Sequence, residues 1–335
     1  MTMSLPDFSN LLNAGPLAPL ALPPTGVMAQ YFRHYGLEDL ITQVGGIESG
    51  HVQVGEFRLW TQVWTPQEGA LRGTIVVVHG YFDHLALYGH LLRLLLDAGF
   101  RVVLWDLPGH GLSSGERAAI DDFATYTQCL RALLTQIEAK GLMTAPLIGI
   151  GQSTGAAILA TDALERSGHH PWQSLVLLAP LVRPCKWQRS RVMHRLATPF
   201  IRSIPRSHRP NTTHLAFTDF LHHKDPLQTD TLPLVWVGAM RDWMSHVRRL
   251  PPTDLSTLIL QGEQDATVDW RWNLGVLRRL LPAAHIVYHQ DARHHLVNES
   301  PDIRQTLFRD LHHFLITQTE GSCVTTADTS EPPSR

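Results

Sequence analysis

Residues 146–166 read PLIGI-GQSTG-AAILATDALER, an apolar run, a Gly-x-Ser-x-Gly turn and a helical run in direct succession. The pattern predicts a strand over Pro146–Ile150, a tight turn at Gly151-Gln152-Ser153-Thr154-Gly155, and a helix over Ala156–Arg166. Glycine on either side of Ser153 removes side chains that would collide with the neighbouring strand or helix. The serine can then sit on a strained turn at the strand end. Taken alone, the five residues also fit a tight turn with an ordinary helix-capping serine. Their place between strand and helix points instead to a nucleophile.

Working outward, the strand–helix alternation continues on both sides. Thr74–Val78 is an unbroken β-branched run, as expected of a strand buried on both faces of a parallel sheet. Helices are expected at Tyr88–Ala98 and Asp121–Ala139, with strands at Arg101–Leu107 and Leu175–Pro180. Upstream, His51–Val54 and Phe57–Thr65 form a hairpin around Gly55, and residues 1–50 read as an irregular arm with a short helix near Met28–Tyr35. The alternation stops over 183–252 and returns with strand Thr257–Gln261, helix Trp270–Leu281, strand Ile286–Tyr288 and helix Asp302–Ile316. The expectation is an α/β fold, a mostly parallel central sheet with helices on both faces. Its core is split into 51–182 and 253–317 by a helical cap at 183–252, and 318–335 follow as a disordered tail poor in large apolar residues.

Composition narrows the class. The 335 residues carry 28 Lys+Arg against 30 Asp+Glu, and 44% are hydrophobic, which suits a large core and argues against a dedicated nucleic-acid binder. The charge is uneven: the cap is +8 and the remainder −10. Cys129, Cys185 and Cys323 are odd in number and far apart, the usage of a reducing cytoplasm rather than a disulfide framework. No Lys or Arg precedes Arg33, and Pro16, Pro19, Pro23 and Pro24 interrupt the early apolar residues, so neither a secretory signal nor a membrane span is expected there.

A serine nucleophile needs a base held by an acid, and in such a sheet these follow on later strand-end loops, acid before histidine. The loop after Thr257–Gln261 holds Asp265, assigned as the acid; Asp269 lies where the next helix begins and reads as its N-cap. The loop after Ile286–Tyr288 holds His294 and His295, which residue chemistry alone does not separate. Two backbone N–H groups should face the developing oxyanion: that of Thr154, and that of Tyr81 in the turn that Gly80 opens after Thr74–Val78.

These residues resemble the α/β-hydrolase superfamily, and within it the branch of monoacylglycerol lipases and bacterial lysophospholipases. The likeness runs over about residues 50–317 outside the cap. Besides the elbow it rests on His79-Gly80, Asp83-His84 and Tyr88, on Asp106-x-x-Gly109-His110-Gly111-x-Ser113-x-Gly115-Glu116-Arg117, on Asp122-Phe123, on Ala179-Pro180-Leu181, on Gly262-x-x-Asp265 and on Ala292-Arg293-His294. The resemblance implies the α/β-hydrolase fold and a serine esterase using Ser153, Asp265 and His294 without cofactor or metal. It selects His294 over His295, since the family's base follows Ala-Arg. This chain differs in reading Gln-Ser-Thr at the elbow, where the branch has His-Ser-Met, and in carrying bulky Tyr81-Phe82. Phe82, Trp187 and Trp243 are expected to contact a small-molecule ester or lipid, while the basic cap reads either as a helical lid with a solvated outer face or as one whose cations approach anionic lipid surfaces. Competing readings are another acyl or C–C bond hydrolase on this scaffold, such as a peptidase or thioesterase, and a non-catalytic ligand-binding relative.

Overall fold

The computed structural model describes residues 5–67, 69–206 and 210–320. Its centre is a nine-stranded sheet. After α1 (Ser9–Leu12), β1 (Ala18–Pro19) and α2 (Gly26–His34) come β2 (Val44–Val54), β3 (Phe57–Pro66) and β4 (Thr74–Val78). Then follow α3 (Gly89–Asp97), β5 (Arg101–Trp105), α4 (Ala124–Ala139), β6 (Leu147–Gln152), α5 (Thr154–Glu165) and β7 (Ser174–Leu178). The strands stand in the order β1-β2-β3-β5-β4-β6-β7, completed by β10 (Thr257–Gly262) and β11 (Ala284–His289). The first three are antiparallel, and from β5 to β11 every pairing is parallel. Helices α9 (Trp270–Leu280) and α10 (Pro301–Glu320) complete the core.

Both sheet faces are buried, and the period of two sorts their residues. In β4, Val76 and Val78 join one apolar cluster with α4 and α5, while Ile75 and Val77 join the other with α3 and α10. β5 and β6 lie on opposite sides of β4, so the chain reverses direction across the sheet there. The crevice at the carboxyl ends of β4 and β6 is where such sheets place ligands.

Three features differ from the sequence reading. The arm holds the expected short helix as α2 but is packed against the core: α2 drives Tyr31 and Phe32 into the second cluster, with the Phe32 ring stacked 5.4 Å from that of Trp64. Strand β2 begins at Val44 rather than His51, because β3 is long enough to pair with it from Val54 back to Val44. Helix α10 continues to Glu320, past Thr317, with Leu307, Leu311 and Leu315 buried at four-residue spacing. The tail expected over 318–335 lies, from 321 onward, outside the described residues.

Between β7 and β10 the described residues hold α6 (Trp187–Ala197), α7 (Leu215–His223) and α8 (Leu234–Val247). They also hold a two-stranded ribbon of β8 (Ser203–Pro205) and β9 (Thr231–Pro233) that the sequence reading did not include. Helix α8 is pinned to the core by Trp243, stacked 4.4 Å from Phe123 and donating its indole N–H to Thr161 Oγ1 at 2.9 Å. Among the described residues, no helix is long and apolar enough to cross a membrane.

Candidate active site

Ser153 stands between β6 and α5 at φ 54°, ψ −108°, a conformation that residues with a Cβ rarely adopt. Sterics require the flanking glycines. A Cβ at Gly155 would lie 2.0 Å from Val78 O, and one at Gly151 would lie 2.4 Å from Ala156 N. The elbow is thus wedged against β4 on one side and α5 on the other.

The loops after β10 and β11 bring Asp265 and His294 to this serine. His294 Nδ1 lies 2.7 Å from Asp265 Oδ2, and His294 Nε2 lies 2.9 Å from Ser153 Oγ. An ionised carboxylate only accepts, so Nδ1 carries the proton and Nε2 is left as the acceptor facing the hydroxyl. Asp265 Oδ1 accepts the N–H groups of Thr267 at 2.8 Å and Val268 at 3.1 Å. Burial works to raise Asp265's pKa, but His294 and these N–H groups outweigh it and hold the carboxyl below its ordinary value. Burial likewise works to lower His294's pKa, and Asp265, with Asp83 beyond, outweighs it and holds the imidazole above the usual histidine value. The arrangement can draw a proton from Ser153 and stabilise the resulting imidazolium.

Thr154 directly follows the serine, and Tyr81 lies in the turn after β4. Thr154 opens α5, where backbone N–H groups have no intrahelical acceptor. The preceding turn is fixed from behind: Gly80 N–H donates to Tyr88 Oη at 3.0 Å, and that hydroxyl donates to Asp83 Oδ2 at 2.9 Å. The Tyr81 hydroxyl donates to Ala118 O at 2.6 Å, and its ring stacks 3.7 Å from that of Trp236 on α8. Phe82, at φ 70°, follows directly.

The competing residues are engaged elsewhere. Asp269 caps α9 at Trp272 N and pairs with Arg183 at 2.6 Å. His295 Nε2 is 3.2 Å from Asp83 Oδ2, at an angle that makes it an ion-pair contact rather than a hydrogen bond. Trp187 is buried at the start of α6 in the same cluster as Trp243, whose own contacts are with the core helices. A cavity of about 380 Å³ lined by Tyr35, Leu87, His90, Phe217 and Asn298 includes none of Ser153, Asp265 and His294.

Several positioning residues went unread in the sequence. Gln152, at the position where this chain differs from the resembling branch, donates to His294 O at 2.8 Å. Asn211 O accepts the N–H groups of both His294 and His295. Glu299 accepts Arg293 N–H at 2.6 Å and Thr213 N–H at 2.7 Å, tying the base loop to the cap. The Asp106–Arg117 motif is scaffolding. Asp106 accepts the N–H groups of Leu85 and Leu112, with burial pushing its pKa up to about 6, and Leu107 N–H donates to His79 Nε2 at 2.9 Å. The motif's Gly-His-Gly spacing was its visible signal; its partners 20 or more residues away were not.

Residues 69–301 match the family described as "Serine aminopeptidase, S33". The chain is 28% identical to the monoglyceride lipase of Homo sapiens over 288 residues, covering 82% of this chain and 90% of that protein. Among solved structures it resembles a monoacylglycerol lipase from Paleococcus ferrophilus, with a TM-score of 0.66, 21% identity, and coverage of 78% of this chain and 99% of that one. It also resembles a soluble variant of monoglyceride lipase from Saccharomyces cerevisiae, solved with a substrate analog. There the TM-score is 0.69, the identity 18%, and the coverage 80% of this chain and 94% of that one. At those identities the structural likeness speaks for the fold.

Proposed function

This chain belongs to the serine aminopeptidase S33 family of α/β-hydrolases, and on that premise we propose that it is a serine carboxylic-ester hydrolase for esters with an apolar acyl chain, such as monoacylglycerols or lysophospholipids. The observation that carries the reading is the continuous path Asp265–His294–Ser153, at 2.7 and 2.9 Å, ending on a strained elbow serine. His294 Nε2 takes the hydroxyl proton as Ser153 Oγ attacks the ester carbonyl. The Tyr81 and Thr154 N–H groups receive the oxyanion, and the imidazolium returns the proton to the leaving alcohol. Water, activated by the same histidine, then releases the acid from the acyl-enzyme. Phe82 and Trp187 are the candidate substrate contacts.

The cap supports a lipid substrate by its outer face. Val192, Met193, Leu196 and Phe200 are exposed, Phe200 at 86%, and Arg189, Arg191, Arg195 and Arg202 lie among them. An apolar stripe flanked by cations suits contact with an anionic lipid surface. The cysteine usage supports a cytoplasmic location.

The test is hydrolysis of p-nitrophenyl esters and monoacylglycerols of graded chain length, with aminoacyl amides alongside and Ser153→Ala as control. A chain-length optimum that Ser153→Ala abolishes, with fluorophosphonate labelling at Ser153, supports the ester reading. Faster turnover of the amides would replace it with a peptidase. A folded protein that neither turns over esters nor takes the label would defeat the triad.

A further inference from the structure

Among the described residues, the cap's half-buried cations are Arg183 and Arg206. Arg183 is paired with Asp269 at 2.6 Å, whereas no carboxylate oxygen of the described residues lies within 4.0 Å of Arg206. Arg206 follows β8, and its guanidinium sits 4.1 Å from the centre of the ring of Phe82, the residue after Tyr81, to which the ester-hydrolase reading gives an oxyanion N–H. One nitrogen, Nη1, donates to Gln228 Oε1 at 2.6 Å and to Thr229 O at 3.4 Å, both neutral acceptors. Three acids act on it from beyond that distance: Asp83, engaged with Tyr88 and His295; Asp225, engaged with His84, Tyr35 and Gln228; and Asp230, whose backbone oxygen accepts the Arg206 backbone N–H at 2.7 Å. A guanidinium has five N–H donors in a rigid fork, and a cation drawn partly out of water with no counter-charge in contact carries a desolvation cost. Burial does lower Arg206's pKa, against the raising pull of Asp83, Tyr81, Asp230 and Asp225.

We propose that Arg206 is a specificity-determining residue that receives an anionic group of the substrate, a phosphate or carboxylate carried near the scissile ester. The inference rests on the ester-hydrolase reading of the same site and deepens it: the preferred substrate is an anionic amphiphile rather than a neutral one. The aromatic floor of Phe82 holds the guanidinium plane, while Gln228 and Thr229 occupy one edge of the fork. Its remaining donors are left for a bidentate partner.

Binding of non-hydrolysable ethers tests this independently of turnover. The probes are a hexyl glycerol ether, the same ether bearing a glycerol phosphate, and one with a carboxylate on the alkyl chain close to the ether oxygen, all monomeric and measured by titration calorimetry. Charge-assisted hydrogen bonds of this kind discriminate by about tenfold to a hundredfold, so one anionic ether should bind wild type at least about tenfold tighter than the neutral ether. Preference for the phosphate places the anion on the alcohol side, and preference for the carboxylate places it on the acyl side. Arg206→Gln should abolish the preference, and Arg206→Lys, which keeps charge without the fork, should retain part of it. Equal binding of the three ethers by wild type, or a preference that survives in Arg206→Gln, overturns the proposal. If Arg206→Gln does not fold, an undiminished preference in Arg206→Lys counts against the fork. Loss of ester turnover alone would strike the hydrolase reading and leave these binding ratios to be judged by themselves.

Discussion

Replacing Asp265 by Asn is nearly isosteric, yet the structure predicts which way the amide must turn. The Oδ1 position receives two backbone donors, Thr267 N–H at 2.8 Å and Val268 N–H at 3.1 Å. An amide nitrogen there would set donor against two donors, so the Asn oxygen takes that place and its NH2 takes the place of Oδ2. That NH2 then faces His294 Nδ1 across 2.7 Å. The imidazole must accept at Nδ1 and carry its proton on Nε2, pointing it at Ser153 Oγ across 2.9 Å. In that tautomer the histidine cannot take the serine proton, and the loss seen for a wrong-tautomer triad is about 10⁴-fold in kcat. The assay is steady-state hydrolysis of a short p-nitrophenyl ester, with circular dichroism to show that the fold is kept. Asp269→Asn is the companion, expected to cost stability through the α9 cap and the Arg183 pair but little kcat. A kcat for Asp265→Asn within about tenfold of wild type, or a larger loss in Asp269→Asn, would refute the tautomer argument.

The remaining predictions concern pH and packing. Because protonated His294 cannot act as base and its pKa is raised, kcat/KM should fall as pH drops through a value above the ordinary figure of about 6.5; a pH–rate profile with its acid midpoint below that figure would contradict the pairing. Gly155→Ala puts a Cβ 2.0 Å from Val78 O, in the backbone of a central strand that cannot retreat, and should cost about 3 kcal/mol or more in urea unfolding. Gly275→Ala, which meets open space in α9, should cost nothing. His84 and Asp225 form a buried pair at 3.0 Å between the oxyanion turn and the cap, so Asp225→Ala should cost about 3–5 kcal/mol at pH 6. Burial opposes both shifts, but the mutual attraction outweighs it, raising His84 and lowering Asp225 to about 2. The raised histidine contributes below about 6.5 and loses that contribution as pH rises through its folded value. The lowered carboxyl contributes above about 3.9 and loses that contribution as pH falls toward 2. Wild-type Tm should therefore decline more steeply than that of Asp225→Ala on the alkaline side, and parallel curves would show that the pair does not report on folding.

The parts of this molecule legible in the sequence are those that local chemistry over-determines. Gly151 and Gly155 are there because a Cβ at either would strike backbone, and such a constraint can be read from five residues. Asp265 and His294 each follow a parallel strand, and parallel strands deliver their loops to one end of the sheet. The arm was misread because its buried residues, Phe8, Tyr31, Phe32 and Leu37, fall in short pieces without a period long enough to show a face. The ribbon β8–β9 escaped notice because its strands are three residues each and include Pro205 and Pro233.

The cap was unreadable for a different reason. Much of its hold on the core is made of long-range pairs, among them Trp236 on Tyr81, Arg206 on Phe82, Asp225 on His84 and Trp243 on Phe123. The His84–Asp225 pair spans 141 positions. No periodicity or motif announces such a pair, since either partner alone is an ordinary cap or turn residue. Three of the four land on Tyr81, Phe82 and His84, consecutive but for Asp83, so the turn after β4 is also a seat of the cap. A substitution in the cap at one of these contacts therefore bears on the turn after β4. The bulky Tyr81-Phe82, unusual in the resembling branch, can be understood as the floor those cap side chains require.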